Sequence, residues 1–155
     1  MAASMQAWTS AGVDDPRRLA MDLEAATTDG TLVVLAADVV ASERQVQAAV
    51  QVACRRWERG TSVARSLGAE VMRCLAGSHH VGEAIRAVGL TAGATSGWMI
   101  GIDVDDLNAH LAEHGLSPAQ PHDLTLEGRE RLGLPATGDG ELLCIGLVAQ
   151  ADLIA

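Results

Sequence analysis

The sequence predicts a single compact α/β domain in which helices pack on a mixed central sheet. Short apolar, β-branched segments alternate with segments of helical periodicity, and this alternation is typical of a sheet covered by helices. A chain of 155 residues suits one domain with one core. Hydrophobic residues make up 48% of the chain but aromatic residues only 2%, so aliphatic side chains and methionine must build that core. The predicted order is β-α-β-α-α-α-β-α-α-α-β.

Local signals at the helix ends support this order. The acidic cap before Pro16 favours a helix start, Ser42 and Gln45 have the spacing of a capping box, and Gly77 separates two helices. The predicted elements are an edge strand at 4–9, a helix from Asp14 to Asp29, a buried strand at 31–37, helices at 42–60, 66–76 and 78–88, a strand at 96–102, a helix at 103–114, a linker at 116–123, a helix at 125–132, a turn at 137–140, and a helix with a terminal strand over 141–154.

The charge balance excludes two classes of function. Net charge is −9, and all eleven basic residues are arginine. A conventional nucleic-acid-binding protein has a basic surface, so any RNA contact here must be a small local site. The absence of lysine excludes ATP binding through a P-loop. An acidic chain without lysine also indicates a high-salt or high-GC source, in which we expect an archaeon.

The cysteine pattern indicates a reducing compartment. Cys54, Cys74 and Cys144 are odd in number, far apart and set in apolar segments, so we expect buried free thiols. We identify no signal peptide at the N-terminus and no apolar stretch of the length needed to span a membrane. The predicted location is the cytoplasm.

One motif suggests a zinc enzyme. His110 and His114 stand four residues apart with Glu113 between them, the H-x-x-E-H pattern in which two histidines on one helix face bind zinc and the glutamate is the base. A solvated helix end explains the same residues, because the dipole favours cations there. We therefore predict no catalytic residue and no metal, and keep a zinc hydrolase as an unlikely alternative.

A second segment suggests an anion site. Ser78, His79 and His80 follow Gly77 at the predicted start of a helix, where free backbone N–H groups and the helix dipole favour phosphates. Arg65 and Arg73 lie upstream on the preceding helix. These residues predict a local site for a phosphate or a terminal nucleotide.

The order of motifs from residue 31 to residue 103 resembles the small tRNA-binding, kinase-regulating subunit of the KEOPS complex, the PRPK-binding protein family. The matching segments are Ala37-Asp38-Val39-Val40-Ala41-Ser42 with Val46 and Ala49, Ala64-Arg65-Ser66-Leu67 with Glu70, Leu75-Ala76-Gly77-Ser78, Ala84-Ile85, Gly89-Leu90 and the strand at 97–102. Where the family often has Arg-Gln-Ile after Gly-Ser, this chain has His79-His80-Val81.

The resemblance implies a non-catalytic α/β protein without a cofactor. Members bind the kinase-like ATPase subunit of KEOPS, and the complex completes N6-threonylcarbamoyladenosine on tRNA. Archaeal members also bind the 3′ CCA end of the tRNA. We expect a tRNA site around the helix start at Ser78, formed by Asp38, Arg65, Arg73, Ser78, His79 and His80. We expect the C-terminal helix to bind the kinase-like subunit through Leu142, Ile145 and Val148. An interaction module that has lost RNA binding is the alternative.

Overall fold

The computed structural model describes residues 3–153 and confirms the α/β class. The strands are β1 (Ala3–Val13), β2 (Thr31–Ala36), β3 (Ala94–Ile102) and β4 (Ser117–Pro118). The helices are α1 (Pro16–Ala25), α2 (Glu43–Glu58), α3 (Leu67–Ala76), α4 (Val81–Val88), α5 (Leu107–Glu113), α6 (Leu126–Arg131) and α7 (Gly140–Leu153). They divide between two compact units. The first unit comprises the chain up to Ala37 together with Leu90–His122, and the second comprises Asp38–Gly89 together with the chain from Asp123 onward. That the chain is one domain stays a prediction.

The first unit is an antiparallel sheet with two helices. Its strand order is β2-β3-β1-β4, and every pairing in it is antiparallel, whereas the sequence predicted a mixed sheet. The first strand is longer than predicted and is not at an edge, because it pairs with β3 from Ala3 to Thr9 and with β4 at Trp8 and Thr9. The strand β4 falls in the predicted linker. Buried side chains of the sheet, α1 and α5 form one core; they include Trp8, Leu23, Met99 and Leu111.

The second unit is a group of five helices, α2, α3, α4, α6 and α7. Its helix starts follow the predicted chemistry: Ser42 Oγ accepts a hydrogen bond from Gln45 N at 3.2 Å, and the Gln45 amide oxygen accepts from Ala41 N. Gly77 ends α3 at φ 67°, a left-handed conformation that glycine adopts without steric cost. Aliphatic side chains and three buried free cysteines, Cys54, Cys74 and Cys144, fill the interior, as the sequence predicted.

The C-terminal helix α7 is apolar on all sides apart from three polar residues, Glu141, Gln150 and Asp152. It runs to Leu153 without the strand that the sequence predicted for its end, and the predicted Ile154 lies outside the described residues. Within residues 3–153, no helix is both long and apolar enough to cross a bilayer.

Candidate functional site

The turn between α3 and α4, residues Gly77–His80, brings three predicted site residues together. His79 and His80 are exposed, and their rings meet edge to face with centroids 5.5 Å apart. Ser78 Oγ accepts from His80 N at 3.0 Å and donates to the Glu83 carboxylate at 3.2 Å. His80 is the N-cap of α4 without a capping side-chain hydrogen bond. The α3–α4 turn therefore places two accessible imidazoles beside the helix end where N–H groups have no acceptor within the helix.

Charges of both signs lie at this helix start. The negative charge of the Glu83 carboxylate disfavours phosphate binding there. Arg86 partly offsets it, because its Nη1 lies 3.8 Å from the position that a Cβ on Gly82 would occupy, which places the guanidinium beside the first turn of α4. Sequence reasoning missed Arg86. Its spacing of four residues from Gly82 on a predicted helix was the available signal.

Arg73 lies in the interior of its unit and not on the predicted surface. It has no exposed area, and it forms a double hydrogen bond with the buried Glu70, Nε to Oε1 at 3.0 Å and Nη2 to Oε2 at 2.7 Å. Its Nη1 donates to Ser78 O at 3.1 Å and to Ala151 O at 3.2 Å. Because these donors are used inside the protein, Arg73 positions the α3–α4 turn and is not suited to touch RNA.

Glu70 completes this buried ion pair. Its Oε1 also accepts from Val63 N at 3.1 Å and Ala64 N at 3.0 Å. Burial raises the pKa of this carboxyl, but the hydrogen bonds from Arg73 and the two backbone N–H groups outweigh burial, so its pKa is lowered from the ordinary value of 4.5. Glu70 is therefore an ionised carboxylate that holds Arg73 and the loop before α3.

Arg65 is exposed but is not beside Ser78. It precedes Ser66, the N-cap of α3, whereas Ser78 follows the other end of the same helix. Ten helical residues span about 15 Å at 1.5 Å per residue. The structure therefore does not bring Arg65 to the α3–α4 turn.

Asp38 anchors α6 and is not free for a ligand. Its carboxylate pairs with the Arg131 guanidinium and accepts from Thr125 Oγ1 at 3.3 Å, and its carbonyl accepts from Thr125 N at 3.3 Å. A Cβ at Gly128 would overlap the same carbonyl oxygen. The motif that carries Asp38 therefore has a structural explanation.

One side of α7 is an exposed apolar face. Leu142 is 66% and Leu153 86% exposed, and positions separated by three, four, seven and eleven residues share a helix face. We call this the α7 face; its residues are Leu142, Ile145, Gly146, Ala149 and Leu153. An amphipathic surface helix would carry polar residues there, so this face is suited to a protein partner.

Two of the three predicted partner residues belong to this face. Leu142 is exposed, and Ile145 lines an open groove of about 460 Å³ between α7 and α2. Val148 is buried at 2% exposure. Val148 is therefore not accessible to a partner, whereas Leu153, whose exposure sequence reasoning did not identify, is accessible.

The zinc alternative rests on His110 in α5 and His114, the C-cap of that helix. Among residues 3–153, no group of three or more His, Cys, Asp and Glu is placed to hold a metal ion. His114 Nδ1 instead donates to His110 O at 2.8 Å. Two of the cysteines are poor nucleophiles, since burial raises the pKa of Cys74 to about 12 and that of Cys144 to about 11.

Comparison with known protein families identifies the family of this chain. The sequence model of the family described as "Kinase binding protein CGI-121" matches residues 11–127, well over half of the chain. A search of curated proteins finds no match. The matched residues include the whole of α2, α3 and α4, and α7 lies beyond them. The chain belongs to the CGI-121 family of kinase-binding proteins.

Proposed function

We propose that this chain is a non-catalytic cytoplasmic subunit of a KEOPS tRNA-modification complex, which binds the kinase-like ATPase through the α7 face and the 3′ CCA end of tRNA through the α3–α4 turn. The observation that carries the proposal is an exposed apolar helix face on a member of a kinase-binding family. The proposed role is regulatory: the chain contributes binding surfaces, while the ATPase and the catalytic subunit contribute the chemistry.

The kinase contact follows from the α7 face. Burying apolar surface is worth about 25 cal/mol per Å², and two highly exposed leucines in the same helix supply such surface at both ends of the face. The adjoining groove carries Glu43, Arg44, Gln47 and Gln51 on its α2 side. An apolar centre with a polar rim is the usual composition of a protein interface.

Exchanging a leucine of the α7 face for aspartate tests this contact. Leu142→Asp places a charge in the proposed interface and should weaken kinase binding by about 30-fold or more, the loss expected for an interface hot spot of about 2 kcal/mol. Leu126→Asp on α6 is the matched control, since Leu126 is 67% exposed and lies outside the face. Calorimetric titration with the kinase-like ATPase measures both. Equal affinities for the two variants would contradict the assignment of the face.

The RNA contact is proposed for His79, His80 and Arg86. Stacking of unpaired bases on ring side chains is worth about 1–3 kcal/mol per base, and two exposed imidazoles stand at the helix start. A site based on stacking and a few hydrogen bonds is compatible with a net charge of −9, because it does not depend on a broad basic surface.

Two variants of the RNA site are compared with Arg65→Glu, which is the charge-matched control for Arg86→Glu. His79→Ala with His80→Ala, and Arg86→Glu separately, should each weaken binding of a minihelix RNA ending in single-stranded CCA by about tenfold, equivalent to about 1.4 kcal/mol. Arg65→Glu changes the net charge by the same amount at the far end of α3 and should have a smaller effect. Fluorescence anisotropy measures the affinities. Kinase binding without any RNA binding would select the alternative, an interaction module that has lost the RNA contact.

A further inference from the structure

The last turn of α7 is tied to the α3–α4 turn by side-chain hydrogen bonds. Gln150 Nε2 donates to Gly77 O at 2.9 Å. Arg73 Nη1 donates both to Ala151 O and to Ser78 O, at 3.2 Å and 3.1 Å. A single buried nitrogen therefore bridges the two segments.

The bridging group has little freedom to move. Two hydrogen bonds to Glu70 fix the Arg73 guanidinium plane, and Glu70 is held in turn by two backbone N–H groups. On the other side of the same turn of α7, the Asp152 carboxylate pairs with Arg55 and Arg56 of α2. The end of α7 is therefore clamped between α2 and the α3–α4 turn.

This clamp connects the two proposed binding surfaces. The final carbonyls of a helix have no N–H donor within the helix, and the helix end frays unless they are bonded elsewhere. Arg73 donates a hydrogen bond to one of them, the Ala151 carbonyl. Leu153 of the α7 face stands two residues beyond that carbonyl and is 86% exposed. A partner that covers Leu153 holds the last turn in place, and that turn carries one acceptor of Arg73, the Ala151 carbonyl, and the side-chain amide of Gln150.

We infer that occupation of the α7 face by a protein partner tightens RNA binding at the α3–α4 turn, with Arg73 and Gln150 as the positioning residues that couple the two surfaces. The inference rests on the proposed function and adds a regulation to it. Because Arg73 and Gln150 join the two segments, a partner that holds the last turn of α7 in this arrangement also holds the carbonyls of Gly77 and Ser78. Two partners that favour the same arrangement bind cooperatively. Couplings of this kind change affinity by about 5–150-fold, and we expect the lower end for a link of three hydrogen bonds.

A binding cycle tests the coupling. The affinity of the CCA-ended minihelix is measured for the full chain alone and for the chain saturated with the kinase-like ATPase. The wild-type chain should bind about 5-fold more tightly in the saturated state. Gln150→Ala removes the bond to Gly77 from an exposed position outside the α7 face, and it should reduce this factor by half or more while kinase affinity is retained.

Glu141→Gln is the matched control. Glu141 lies in the first turn of α7 and pairs with Arg44 of α2 at 3.3 Å, so this variant loosens the helix at the end that does not reach the α3–α4 turn. The coupling factor should stay at its wild-type value. A wild-type factor of one, or an unchanged factor in Gln150→Ala, overturns the inference.

Amide hydrogen exchange separates a failure of the coupling from a failure of the RNA proposal. Kinase binding should slow exchange at residues 78–84 in the wild-type chain and slow it less in Gln150→Ala. If the chain binds no RNA but shows this pattern, the RNA proposal fails and the regulation of RNA binding fails with it, and only the link between the α7 face and the α3–α4 turn stands. Unaltered exchange at these residues on kinase binding contradicts the coupling whatever the RNA affinity.

Discussion

Replacing Glu70 by glutamine removes one charge from the interior of the helical unit and leaves the Arg73 guanidinium buried without its counter-ion. The wild-type carboxylate accepts four hydrogen bonds, two from Arg73 and two from backbone N–H groups of Val63 and Ala64. Glutamine offers one oxygen, and its amide N–H groups face the N–H donors of Arg73.

The expected loss is large relative to the stability of the protein. Breaking a buried ion pair by removing one partner costs about 3–5 kcal/mol, and whole domains are stable by only about 5–15 kcal/mol. With a urea dependence of about 2 kcal/mol per molar, Glu70→Gln should lower the unfolding midpoint by about 2 M.

Urea denaturation followed by circular dichroism measures this shift. Glu83→Gln is the control, since Glu83 is exposed on the neighbouring helix and surface changes are worth about 0.5 kcal/mol or less. The double variant Glu70→Gln with Arg73→Met should recover part of the loss, because it removes the uncompensated charge. A loss below about 1 kcal/mol in Glu70→Gln would refute the view that this pair holds the α3–α4 turn and the end of α7.

Two further predictions concern the stability of the chain. Gly128→Ala should destabilise it by about 1–3 kcal/mol because the new Cβ overlaps the Asp38 carbonyl. Gly146→Ala is the control: it lies in a helix with open space around it and should be neutral or stabilising by up to about 1 kcal/mol. Thermal unfolding compares the two variants, and equal melting temperatures would contradict the close approach of Gly128 to Asp38. For Asp152, burial raises the pKa but the hydrogen bonds from Arg56 and Arg55 lower it more, and the pKa of Glu70 is lowered as well. Their contribution is therefore complete above their ordinary values of 3.8 and 4.5 and is lost as pH falls through the lowered native values, so acid titration of the unfolding free energy should show a decline that is weaker in Asp152→Asn.

Elements with local signals could be predicted from the sequence. The cap before α1 with the proline at its first position, the pairing of Ser42 with Gln45 at α2 and the glycine after α3 each depend on residues within a few positions of one another. The full length of β1 could not be predicted in this way, since its pairing with β3 joins residues about ninety positions apart and sets the register without a local pattern.

The candidate site shows the same division. Ser78, His79 and His80 follow a helix-ending glycine, so their grouping at a helix start was predictable from spacing. Arg73 was predicted to belong to the anion site because it lies on the helix that precedes Ser78. Its burial depends on acceptors supplied from Ser78 and from Ala151, which is 78 residues away in the chain.

The α7 face was only partly predictable. A helix that is apolar on all sides does not show which side is exposed, and three residues, Leu142, Ile145 and Val148, were equivalent on hydropathy alone. Packing of α7 against α2 and α3 buries Val148 and leaves Leu142 exposed. The same packing leaves Leu153 exposed at the end of the helix.

Complex formation between the wild-type chain and the kinase-like ATPase of the same organism tests the central claim most directly. Both proteins are purified separately, mixed at micromolar concentrations and analysed by size-exclusion chromatography with light scattering. We predict that they elute together as a complex and that Leu142→Asp elutes separately from the ATPase while keeping its circular dichroism spectrum. Separate elution of the wild-type chain and the ATPase would contradict the assignment of this chain as a kinase-binding subunit.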